Sequence, residues 1–127
     1  MALNLPEPLK RREILYGAST SREALVDYGA AYEEQGRLDD ALQFYTQAED
    51  QAGLERIKAK SLEVGDAFLL KGVARARPEL VSEEDWKQMI EIAERLGKEL
   101  YADQARAALE GHLEAMEPEE KRGQGKA

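Results

Sequence analysis

Two helical faces joined by almost no linker dominate this sequence. Leu25, Tyr28, Gly29 and Tyr32 fall at i, i+3, i+4 and i+7, which puts them on one side of an α-helix. Gly36 stops that helix, because glycine takes the left-handed conformation at a helix end without penalty. Leu38, Ala41, Leu42, Tyr45, Ala48 and Ala52 then share one face of a second helix, with Gly53 expected to end it. With only a turn around Gly36 and Arg37 between them, the two helices can bury those faces only by packing antiparallel. Gly29 and Ala41 are small and are expected to face each other where the helices come closest, with Tyr32 and Tyr45 filling the wedge around them. Thr20 and Glu23 have the spacing of a capping box at the start of the hairpin.

The flanking sequence is helical too. A short helix is predicted from about Pro8 to Tyr16, ended by Gly17. A long third helix is predicted from about Leu54 to Arg77, ended by Pro78, which disfavours helix in the residue before it. Its apolar residues lie on two sides, Leu54, Ile57, Val64 and Phe68 on one and Leu62, Leu69, Leu70 and Val73 on another, the pattern of a helix packed on more than one side. Ser82 reads as the next N-cap, with Glu83, Glu84 and Asp85 favouring the positive end of the helix dipole. Trp86, Met89, Ile90, Ala93 and Leu96 form that helix's apolar face. After Gly97 a last helix, about Lys98 to Met116, buries Tyr101, Ala105, Ala108, Leu109 and Leu113. No stretch alternates with a period of two, so no strand is predicted. The expected architecture is all-α: an N-terminal segment with a short helix over 1–19, a domain of about five main helices over 20–116, and a disordered polar tail over 117–127.

The spacing of Leu25, Tyr28, Gly29, Tyr32, Ala41, Tyr45 and Ala48 resembles the tetratricopeptide repeat, whose pattern is a large residue, two spacers, Leu-Gly, two spacers, Tyr, then Ala, three spacers and an aromatic residue. Leu25 stands where the family prefers Trp, Tyr28 for Leu, and Gly53 for Pro. A degenerate second copy is read at Val64, Gly65 and Phe68, with Lys71 and Gly72 as its turn and the helix of Trp86, Ile90 and Ala93 as its second half. This leaves the segment 73–85 as an insertion and puts Trp86 where a small residue belongs. The resemblance implies antiparallel hairpins in a short right-handed α-α superhelix, with the last helix as a cap. It also implies a non-catalytic protein–protein interaction module whose first helices line a groove. Carried over by position, that groove displays Glu23, Val26, Ala30, Glu33 and Glu34, then Ala59, Leu62, Asp66, Leu69 and Leu70, acidic at one end and apolar at the other. A helical or extended partner segment with basic residues would complement it. Family members that clamp the carboxylate tail of chaperones use Lys and Asn where this chain has Val26 and Ala30, so that activity is not expected. Glu23, Glu33 and Glu34 have no evident charged partner on their own face.

Composition narrows the chemistry. The formal net charge is -8, which repels phosphate backbones and makes nucleic acid or an anionic membrane surface an unexpected ligand. There is no cysteine, hence no disulfide framework, thiolate metal site or cysteine nucleophile. The single histidine, His112, has no second histidine with which to build a zinc site. Asp39 and Asp40, like Glu83 to Asp85, read as dipole-stabilising residues at helix starts. Ser19, Thr20 and Ser21 read as turn and cap. No phosphate-binding loop, dinucleotide fingerprint or metal spacing is present, so neither an enzyme nor a cofactor or metal is expected. No run approaches a membrane span, and MALNLPEPLKRREIL has no cleavable signal pattern, so a cytoplasmic location is the default expectation. The partner is expected to be another protein. A homodimer is the alternative, with the apolar third helix covered by a second copy. Trp86 reads first as a core residue, although its place at the insertion raises the share of a binding role.

Overall fold

A computed structural model describes residues 4–116 of the chain. The tail expected over 117–127 lies outside them. Among the described residues there are seven α-helices, one 3-10 turn and no strand: α1 Pro8–Tyr16, α2 Arg22–Glu34, α3 Leu38–Ala48, α4 Gln51–Val64, α5 Ala67–Ala76, the 3-10 turn Pro78–Leu80, α6 Glu83–Arg95 and α7 Glu99–Met116. The all-helical class stands, and the helices outnumber the five main ones expected.

The difference lies in the third predicted helix. Leu54 to Arg77 is not continuous: the chain turns at Gly65 and Asp66 and returns as α5. Gly65 has φ 71°, a left-handed value shared by Gly36 (76°) and Gly97 (72°). In each case the residue after the glycine donates its backbone N–H to the carbonyl four residues before the glycine: Arg37 to Tyr32 at 2.9 Å, Asp66 to Ser61 at 2.9 Å and Lys98 to Ala93 at 2.8 Å. This is the Schellman closure of a helix end. The same turn therefore builds three successive hairpins, α2–α3, α4–α5 and α6–α7, whose helices pack pairwise.

Equivalent positions around the three glycines carry the core. Eleven residues before them stand Leu25, Leu54 and Trp86; four before, Tyr32, Ser61 and Ala93; five after, Ala41, Leu70 and Ala102; eight after, Phe44, Val73 and Ala105. All are buried. The second copy read from sequence was thus out of register, because Gly65 is a turn glycine and not the counterpart of Gly29. Segment 73–85 is no insertion within a hairpin: it holds the end of α5 and the connector between the second and third hairpins. Trp86 is the first large residue of its hairpin, not an intruder at a small-residue position.

The hairpins stack. Helix α2 touches α4 and α4 touches α6, while α3 touches α5 and α5 touches α7, giving a layer of first helices and a layer of second helices. Helix α1 lies on α3, where Leu15 enters the common core and Arg11 pairs with Asp40 at 2.9 Å. Two starts and stops also shift from expectation. Ser21, not Thr20, caps α2 by accepting from the Ala24 N–H at 3.1 Å. Helix α3 ends at Ala48, with Glu49 left-handed, so Gly53 sits inside α4 instead of ending its predecessor. Ser82 does cap α6, in a capping box with Asp85.

Candidate binding surfaces

Tyr45 organises the contact between the first two hairpins. A Cβ on Gly29 would lie 2.7 Å from Cε1 of its ring, and one on Gly53 2.5 Å from Cδ1, so the ring occupies the space two missing side chains leave open. The three atoms nearest a Cβ on Gly29 thus all belong to Tyr45, and Ala41 is itself fully buried. The Tyr45 hydroxyl reaches the edge of the α2–α4 layer. It donates to Glu33 Oε1 at 2.6 Å and accepts from Arg56 Nη2 at 3.2 Å. Arg56 Nε also reaches Glu33 Oε1 at 3.3 Å, and its guanidinium lies 5.5 Å from the ring centroid. Burial, then the hydrogen bond to Glu33, push the Tyr45 phenol up to about 12, with Arg56 pulling the other way. Glu33 was expected to lack a partner; it has two, and it belongs to the packing of the fold.

The remaining groove residues divide. Glu23, Ala30, Glu34 and Ala59 are exposed, and Val26 and Leu62 are half-buried. Leu69 and Leu70 are buried within the chain itself, at 2% and 0% exposure, because α5 is a second helix of its hairpin and turns its apolar side to the core. Val73 is buried with them. Leu69, Leu70 and Val73 therefore offer no exposed apolar surface, whereas Val64 and Phe68 of the same predicted helix are exposed. Asp66 is spent as the N-cap of α5, accepting from the Leu69 N–H at 3.0 Å.

Positions equidistant from the turn glycines share one side of the first-helix layer. The positions of Val26, Ala30 and Glu34 on α2 correspond to Glu55, Ala59 and Glu63 on α4 and to Lys87, Glu91 and Arg95 on α6, all exposed except Val26. The outer side of the first-helix layer thus carries small residues, Ala30 and Ala59, among carboxylates on α2 and α4, and the cations Lys87 and Arg95 on α6. Glu23, Glu34, Glu55, Glu63 and Glu91 make no ion pair among the described residues, whereas Glu33, Glu84 and Glu94 do.

A concavity lies on the side of the second-helix layer. Helix α5 contributes Lys71, Ala74 and Arg75, the connector and the start of α6 contribute Pro78, Val81 and Trp86, and α7 contributes Ala108, His112 and Ala115, around an open cleft of about 380 Å³. Among the described residues no group of His, Asp and Glu is placed to hold a metal ion, and no helix is long and apolar enough to cross a membrane. No protein-family model, curated protein or solved structure matches the chain.

Proposed function

We propose that this chain is a tetratricopeptide-like, non-catalytic interaction module that holds a basic segment of a partner protein against its first-helix layer. The observation that carries this reading is the threefold recurrence of the hairpin around Gly36, Gly65 and Gly97. Trp86 supports the family resemblance. In the corrected register, Trp86, Met89, Ile90 and Ala93 stand at the family's Trp, Leu, Gly and Tyr positions, as Leu25, Tyr28, Gly29 and Tyr32 do in the first hairpin. In that family the first helices line the groove, which here means Glu23, Ala30, Glu34, Glu55, Ala59 and Glu63. Neighbouring like charges are mildly unfavourable in the free protein, and a Lys- or Arg-bearing segment relieves them with charge-assisted hydrogen bonds.

The test is capture of partners from the native host by the wild-type chain and by Glu34→Lys with Glu63→Lys. Both carboxylates are exposed and make no ion pair among the described residues, so the helical circular dichroism should not change, whereas reversing Glu33 would break the Tyr45 network. The expected result is loss of the captured proteins, together with weakening of the wild-type complex by added salt. The same proteins captured by both chains, with the same salt response, would refute the reading. Self-association is a second reading, and of the predicted third helix's apolar residues it keeps Val64 and Phe68. Val64, Phe68, Leu96 and Leu100 are 45%, 48%, 52% and 64% exposed at the turn end of the last two hairpins. Sedimentation of wild type against Phe68→Ser with Leu100→Ser distinguishes it: a dimer that dissociates in the variant supports self-association, and a wild-type monomer removes it.

A further inference from the structure

We propose that the cleft between α5, the connector and α7 is a binding site for a small apolar carboxylate, a molecule with a short hydrocarbon or aromatic body and one anionic end. This does not depend on the interaction reading above, which uses the other layer. The cleft exists because of two features of the chain. The second and third hairpins are joined by the connector Arg77–Ser82, whereas the first two are joined by Glu49 and Asp50 alone, and the longer link brings Pro78, Val81 and Trp86 in beside α5. The walls facing across it are alanines, Ala74 on α5 and Ala108 and Ala115 on α7, whose side chains leave the space unfilled. At about 30 Å³ per water, the volume holds on the order of a dozen water-sized groups, within the usual range for ligand sites.

The lining fixes the ligand's chemistry. Val81 and Trp86 are buried at 2% and 3% exposure and give an apolar floor. Lys71 and Arg75, one helical turn apart on α5, line the cleft together with His112 of α7. Among the described residues no Asp or Glu lines the cleft, and neither Lys71 nor Arg75 makes an ion pair or side-chain hydrogen bond. In a chain of net charge -8, cations beside an apolar cleft that no described carboxylate lines are complementary to a ligand that brings its own. An apolar body on the floor would place a terminal carboxylate at the rim, within reach of the Arg75 fork and the Lys71 ammonium.

Trp86 is the only tryptophan, so its emission reports occupancy directly. Octanoate titrated into the full chain should give a saturable change in Trp86 fluorescence, and octanamide, which has the same body without the charge, should bind at least about tenfold more weakly, as loss of a hydrogen bond to a charged group implies. Lys71→Gln with Arg75→Gln should weaken octanoate by a similar factor without changing helical circular dichroism. Ala108→Leu should fill the cleft and abolish the response. The proposal is overturned if Trp86 emission stays flat up to the solubility of octanoate, if octanamide binds as tightly, or if the Lys71 and Arg75 variant keeps wild-type affinity. An acidic peptide that displaces octanoate and binds more tightly than it would also overturn the small-molecule assignment. The surface variant keeps the test decisive should Ala108→Leu fail to fold.

Discussion

Tyr45 is the side chain on which the first two hairpins depend. Its ring is held by the absence of side chains at Gly29 and Gly53, and its hydroxyl by Glu33 and Arg56. Gly29→Ala gains helix propensity of about 1 kcal/mol but drives a methyl group into the ring, an overpacking cost of about 1–3 kcal/mol. The expected outcome in urea unfolding is a net loss of stability. In a Tyr45→Leu background the same substitution should cost less, because the three atoms nearest a Cβ at Gly29 all belong to Tyr45. The phenol gives a second check. Its folded-state pKa is raised from 10.0 to about 12, so its share of the stability is fully present below the unfolded value and is lost as pH rises through the folded one. Stability should therefore fall between about pH 10 and 12, part of this fall coming from Tyr32, whose pKa burial also raises. Tyr45→Phe should flatten the Tyr45 part. An alkaline profile identical in the two proteins would show that the ring is more hydrated than its buried position implies.

The helical hairpin is the unit at the next scale, and its turns set its stability. Gly36, Gly65 and Gly97 adopt a conformation that costs other residues about 1–2 kcal/mol, but their surroundings differ. Nothing lies within 4 Å of a Cβ placed on Gly36, whereas one on Gly65 would meet Leu96 Cδ1 at 3.1 Å and Ile92 Cγ2 at 3.3 Å. Gly36→Ala should thus cost about 1 kcal/mol through strain alone, and Gly65→Ala more, since it also presses the second hairpin against the third. Glu49 presents the opposite case. It is left-handed, with φ 54°, in the tight link between α3 and α4, and replacement by glycine should raise the melting temperature, by up to about 1 kcal/mol in stability. An unchanged midpoint for Glu49→Gly would mean that its side chain earns back the strain through contacts. These turns also explain the register error in the sequence reading. Val64, Gly65 and Phe68 imitate the Leu-Gly-aromatic spacing of a first helix, and glycine serves equally for close helix contact and for a left-handed stop. Composition cannot separate those uses; the hydrogen bond from Asp66 to Ser61 does.

Across the whole molecule, one core cluster runs from Leu15 in α1 to Ala105 in α7, so the hairpins are not independent. Urea unfolding followed by Trp86 fluorescence, which reports the third hairpin, should coincide with loss of helical circular dichroism, which reports all of them. Separated midpoints would show that the third hairpin unfolds on its own, as nearest-neighbour stacking in repeat proteins permits. The sequence by itself determined the helices wherever local chemistry is decisive. The span of α1, the Ser82 cap, the stop at Gly97 and the burial of Leu25, Tyr32, Ala41 and Tyr45 follow from periodicity, capping and glycine placement within a few residues. It also marked Glu33 as notable without revealing that Tyr45 and Arg56 hold it. What only the tertiary structure decided were the pairings between distant residues: Leu69 and Leu70 turned inward, Gly29 against Tyr45, and Trp86 beside His112 across a cleft. The reason is physical. A helix's period shows which residues share a side, but which side is covered depends on the neighbours the chain brings to it, and here a single left-handed turn at Gly65 reassigns every neighbour that follows.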